Sequence, residues 1–173
     1  MIENDPIAVP APPPASTPVD LARAAAGGLL GAILGGLLWG LLVKATGTEI
    51  GFAATGVGAL AGFGTVLLAR TRNRTPLQPI SAGAAILGIL VGKYAAFVFM
   101  AHALLEEHVG AGAAAVLPFF SGRTFSLFLD GFGDLFGGFD LLWIGFAVYT
   151  AWRIPAGQGF GRFAPSLRQP PAP

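Results

Sequence analysis

The chain has no cysteine, which excludes disulfides, cysteine-ligated zinc, thiol catalysis and palmitoylation. Charge is scarce too. Asp, Glu, Lys and Arg make up 11% of the 173 residues, under half of the roughly 25% usual in soluble domains. The formal net charge is +1 and no run of Lys or Arg tracks a phosphate backbone, so nucleic acid is not an expected partner. There is no HExxH, no GxSxG, no phosphate-binding glycine loop and no dinucleotide fingerprint, and Ser81, Ser121 and Ser126 stand in no motif. The sequence therefore predicts neither an enzyme nor a cofactor.

What the chain has instead is apolar surface and glycine. Hydrophobic residues are 54% of the chain and glycines number 26, with a mean hydropathy of +0.69. That much apolar surface calls for lipid as its solvent. Glycine costs about 1 kcal/mol against alanine inside a soluble helix. Between membrane helices it lets two backbones approach closely. The expected class is an all-α, polytopic membrane protein with four transmembrane helices.

Residues 1–20 form a leader rich in proline and are expected to be disordered and cytoplasmic. The first span is expected at about 21–43. Val43-Lys44-Ala45 loosely matches a signal-peptide cleavage site, but the apolar run is too long and the leader acidic, so the segment reads as a span. A short turn, KATGTE, forces a hairpin into a second span at 50–69. The polar loop RTRNRTPLQP then leads to a third span at 80–101.

Between the third and last spans lies a mixed stretch with a Phe-rich part at 119–139. Phe125, Phe128, Phe132, Phe136 and Phe139 recur at helical spacing, which predicts an amphipathic, extracytoplasmic helix in the membrane interface, weakened by Gly131, Gly133, Gly137 and Gly138. The last span is expected at 135–152, which places Asp140 inside the membrane. Residues 154–173 read as a disordered, Pro/Gly-rich cytoplasmic tail.

Four spans alternate sides. One side collects Arg23, Arg70, Arg72, Arg74, Arg153, Arg162 and Arg168, and the other only Lys44 and Arg123. The positive-inside rule then puts both termini in the cytoplasm.

Glycines repeat every four residues. Gly27, Gly31 and Gly35 share one helical face, Gly36 and Gly40 an offset one, and Gly58/Gly62 and Gly88/Gly92 make two more pairs. This small-xxx-small spacing marks helix packing, within the chain or between copies in a homo-oligomer.

One charge lies deep in an apolar run. Lys93 is thirteen residues beyond Ile80, and Asp140 is thirteen before Arg153. At 1.5 Å per residue both sit about 20 Å from the cytoplasmic end. Equal depth makes an intramembrane ion pair feasible, with Glu49 as the rival partner. An unpaired charge in a membrane helix costs roughly 2.5–3.5 kcal/mol on insertion scales, so a partner is needed. Three readings stay open: a pair that locks helices, a Lys93 that snorkels to the interface, and an ion or proton relay. His102 and Glu106, four apart, are weak candidates for a metal, and none is expected.

GGLLWGLLVKATGTEIGFAATGVGALAGFG at 35–64, FDLLWIGFAVYTAWR at 139–153 and the GKY at Gly92–Tyr94 resemble segments of small uncharacterised bacterial four-span inner-membrane proteins. The resemblance implies a bacterial cytoplasmic-membrane location and no catalytic activity. Two functions are carried forward. One is a structural or interaction component that self-associates through its glycine faces and offers its Pro-rich termini to a cytoplasmic partner. The other is a subunit of an ion or small-solute transport system built on Lys93, Asp140 and Glu49.

Overall fold

Thr17 starts the first helix. Its hydroxyl accepts the Asp20 N–H at 3.2 Å and donates to the Asp20 carboxylate at 2.7 Å, while Pro18 takes the first helical position. Helix α1 runs Pro18–Thr46 and stops at Gly47, whose left-handed φ of 65° a side chain would resist. Helix α2 is Ala53–Leu68. Helix α3 is Leu77–Val109, 33 residues and about 50 Å long. Then come α4 at Gly122–Asp130, a single turn α5 at Phe132–Leu135, and α6 at Gly138–Arg153. The computed structural model describes residues 15–71, 73–135 and 137–158; these are all-helical, with no strand among them.

The boundaries differ from expectation chiefly in five places, the first being the last span, which begins as α6 at Gly138 and not at 135 because Gly137 lies outside the helix as its N-cap. Helix α3 starts at Leu77 because Pro79 falls in its first turn, where a missing N–H breaks no helical bond. It runs past residue 101 because HALLEEHV holds no breaker before Gly110. The aromatic stripe is not one helix: Gly131 caps α4 and Gly137 precedes α6, so the phenylalanines fall on separate pieces. Residues 154–158, expected in the tail, continue α6 as a π turn with Ile154 and Pro155 buried. Residues 1–14 and 159–173, with Arg162 and Arg168, lie outside the described residues, as do Arg72 and Phe136.

Of the four expected spans, α1 and α3 are long and apolar enough to cross a membrane. Helices α2 and α6 have 16 residues each, about 24 Å against a hydrocarbon core of about 30 Å.

Contacts between the helices fix their directions. Gly27 meets Gly64 and Gly35 meets Val57, so α1 and α2 are antiparallel. Gly28 lies against Ala84 and Gly40 against Ala95, so α1 and α3 are parallel. Ser81 bonds Ala151, and Lys93 reaches Asp140, so α3 and α6 are antiparallel. The result is an up-down-up-down bundle in which α2 and α3 form the centre, with α1 and α6 on opposite flanks.

Two core clusters follow one another along the bundle. One is Ala32, Ala61, Ala84, Ala85 and Ala151. The other is Trp39, Val43, Ala54, Val57, Ile89, Ala96 and Ala147, with Trp143 and Ile144 packed against it. Leu30, Leu34, Leu38, Leu67 and Leu141 face outward and stay exposed.

Candidate functional site

Lys93 is the middle residue of α3, and its side chain is only 2% exposed. Gly92 precedes it, and the ring of Trp39 packs where a side chain at position 92 would stand. Helix α1 thus lies close on one side. The ammonium turns instead to two carboxylates. Nζ donates to Glu49 Oε2 at 2.5 Å, and Asp140 Oδ1 lies 3.1 Å away. The structure therefore brings together both of the acids the sequence offered as rivals.

Each acid is held by its own local structure. Glu49 stands in the α1–α2 turn, four residues before α2. Asp140 is in the first turn of α6, where its Oδ2 accepts the Gly137 N–H at 2.8 Å and its own N–H donates to the Gly137 carbonyl at 2.9 Å. It is a helix-capping carboxylate as well as an ion-pair partner. A negative charge at a helix N-terminus is favourable in its own right. The two acids are 32% and 20% exposed, so the cluster is closed towards α1 and reachable from the α1–α2 turn.

The cluster sits where the two short helices begin. It joins α3 to the starts of α2 and α6, while α1 and α3 both continue beyond that level: Lys44 near the end of α1 stacks over Phe99 at 5.2 Å. Trp39 is a member the sequence reading missed. It is 4% exposed, its ring centroid is 6.0 Å from Lys93 Nζ, and its buried indole N–H has no hydrogen-bond partner among the described residues. The signal was present, since Trp39 lies within one helical turn of Gly36 and Gly40 in a seam otherwise made of small residues.

All nine glycines expected to pack, Gly36 and Gly40 included, do so against helices of the same chain. A Cβ at Gly27, Gly31 or Gly58 would run into the backbone oxygen of Gly64, Leu60 or Ala147. At Gly35 it would come 3.0 Å from the Val57 Cα, and at Gly62 3.2 Å from the Ala151 oxygen. At Gly88 it would come 2.9 Å from the Ala32 oxygen, and at Gly92 3.3 Å from the Gly36 oxygen. Gly28 and Gly64 belong to the same seams and escaped the four-residue pattern.

The remaining candidates are placed apart. His102 Nε2 lies 2.6 Å from the Leu117 carbonyl, tying α3 to the segment before α4. Glu106 shares a small hollow with His102 and Lys44. Among the described residues no three His, Asp or Glu gather where they could hold a metal. Tyr94, next to Lys93, turns to a different side: its hydroxyl donates to the Phe119 carbonyl, and its ring stands edge-on to Phe119 and Phe128.

Serine and threonine hydroxyls complete the interior. Ser81 Oγ donates to the Ala151 carbonyl at 2.8 Å, and Thr65 Oγ1 to Ala61 at 2.8 Å. The arrangement can do two things chemically: hold three chain segments together through one ammonium, and present two partly hydrated carboxylates to a cation or proton. Compared with known protein families, curated proteins and solved structures, the chain matches none of them.

Proposed function

We propose that this chain is a small polytopic protein of the bacterial cytoplasmic membrane, with α1, α2, α3 and α6 crossing the bilayer and both termini in the cytoplasm. It is a structural or interaction component and not an enzyme. The single observation that carries the reading is Lys93, 2% exposed and shared by Glu49 and Asp140. A buried ammonium with two acids is a lock on three segments, because breaking it leaves charge unpaired in a poorly hydrated place. The glycine faces support a bundle that closes within one chain. Self-association through them would compete with contacts already made, so partners are left to the outward surfaces and to the Pro-rich termini.

The absence of cysteine makes the topology directly testable. Ser126→Cys, in the exposed part of α4, is expected to react with a membrane-impermeant maleimide in intact spheroplasts, and Thr75→Cys only after permeabilisation. The opposite pattern sinks the orientation, and extraction of the chain by alkaline carbonate sinks the integral-membrane reading.

One observation favours a second reading. Lys93 faces two carboxylates that keep part of their exposure, so the cluster holds one more acid than base among its three members. A transport subunit would use that excess to take a proton or a monovalent cation. Proteoliposomes that pass protons or sodium with the native chain, and lose the flux in Asp140→Asn while staying folded, would favour transport over a purely structural role.

A further inference from the structure

Tyr94 and Lys93 project from α3 about 100° apart, and on the Tyr94 side lies an apolar groove of about 860 Å³. Its floor is Ile33 and Leu37 of α1 with Leu90 and Val91 of α3, and its roof is the aromatic segment around Phe125 and Phe128. The roof is built into place. Tyr94 donates to the Phe119 carbonyl, Thr124 Oγ1 donates to the Pro118 carbonyl at 2.9 Å, and Ser121 caps α4 by accepting the Thr124 N–H at 3.1 Å. Phe128 is buried against Tyr94 and Phe97, whereas Phe125 stays half exposed.

We propose that this groove binds one acyl chain of an anionic glycerophospholipid from the outer leaflet. The proposal rests on the membrane reading above. Ile33 and Leu37, and Leu90 and Val91, belong to the two helices long and apolar enough to cross a membrane. They lie on the cytoplasmic side of the Lys93 level, so the groove opens at hydrocarbon depth. The occupant must carry no polar group along its length, because the lining is nearly all hydrocarbon. An extended peptide would bring N–H and C=O groups with nothing to bond, at several kcal/mol each. A lipid tail brings none. The headgroup end follows from charge: Arg123 is exposed and directly follows Ser121 and Gly122 in the groove wall, and a guanidinium matches a phosphate.

The test uses the full chain in phosphatidylethanolamine vesicles doped with phosphatidylglycerol that carries a diazirine in its tail. After irradiation, adducts are mapped by peptide mass spectrometry. Several-fold more label is expected on Leu90–Tyr94 and Phe125–Leu129 than on Leu67 and Phe146, which are exposed on α2 and α6. Filling the groove from either wall, by Val91→Trp or Leu37→Trp, should remove the excess and leave the Leu67 and Phe146 label unchanged. Arg123→Gln should abolish a preference for phosphatidylglycerol over the same probe with a choline headgroup.

Uniform labelling, or groove labelling that ignores both tryptophans, means ordinary boundary lipid and overturns the proposal. Cross-links between two copies at Val91 would make the groove an interface and overturn it equally. No label anywhere, including Leu67 and Phe146, would show that the chain is not in the bilayer, and the membrane reading would fall first.

Discussion

The two halves of the bundle are packed by different means. In the half that holds the Pro18 end of α1, Ala32, Ala61, Ala84, Ala85 and Ala151 form a core with no side chain larger than a methyl group. Glycines on α1 and α2 bring backbone against backbone there, and Ser81 and Thr65 are satisfied by carbonyls within reach. In the half around Lys93, Trp39, Trp143 and Val57 fill the space, and three charged residues close the end. The first half is held by closeness. Alanine and glycine have little apolar side chain to hide, so close contact between backbones supplies the attraction. The second half has backbone contacts too, such as Gly58 on Ala147, but adds a few large or charged groups, each of which can be removed without a steric clash. The halves should therefore fail in different ways.

The largest effect is expected in the closely packed half. Gly31→Leu must push the Leu60 carbonyl aside, and overpacking of that kind costs about 3 kcal/mol or more when backbone has to move. Loss of the folded state in SDS titration of the detergent-solubilised protein is the expected result. A Gly31→Leu chain as stable as the native one would mean that α1 and α2 are not in backbone contact.

Next comes Lys93→Met in the Lys93 half. It introduces no clash but leaves Glu49 and Asp140 facing each other without a cation. Removing one partner of a buried pair costs roughly 3–5 kcal/mol, and the partial exposure of both acids brings this case below that range, to about 2–3 kcal/mol. Glu49→Gln or Asp140→Asn alone should cost less, because Lys93 keeps one acid. The triple change to Met, Gln and Asn should recover much of the loss. If Lys93→Met leaves the midpoint of SDS unfolding unmoved, the lock reading fails, and the excess acid becomes the feature to explain.

A third effect is local. Tyr94→Phe removes the hydroxyl that holds Phe119, a bond worth about 1 kcal/mol. Hydrogen exchange should speed up through Ser121–Asp130 and stay unchanged in α1 and α2. Equal rates in both proteins would show that ring packing alone holds the roof over the groove.

How far the sequence reached also differs between the halves. Glycine spacing is a local signal, and four-residue repeats located Gly27, Gly31, Gly35, Gly58, Gly62, Gly88 and Gly92 correctly on packed faces. It could not say whose helix each face meets, because a repeat is the same for a neighbour in the chain and for a second copy. Depth counting gave Lys93 a partner in Asp140 and left Glu49 as a rival, since distance along a helix cannot tell one acid from two. The course of the aromatic segment was the least legible part. The glycines at 131 and 137 already weakened the expected helix and do divide the stripe, but nothing in the spacing of phenylalanines shows that the Tyr94 hydroxyl pins its start.

The smallest expected effect bears on the same comparison from the other side. Gly56, in α2, and Gly145, in α6, have no atom of another element near the place a Cβ would occupy, unlike Gly58 and Gly62 on the same α2. If glycine is kept in this chain for close approach, these two serve no packing purpose. Gly56→Ala and Gly145→Ala should then raise stability by up to about 1 kcal/mol each through helix propensity and the smaller freedom of the unfolded chain. Gly58→Ala should destabilise, because even one methyl group meets the Ala147 carbonyl. The sign change between positions 56 and 58, two residues apart on one helix, separates packing from composition: a glycine-rich chain that merely tolerates glycine would show the same sign at both.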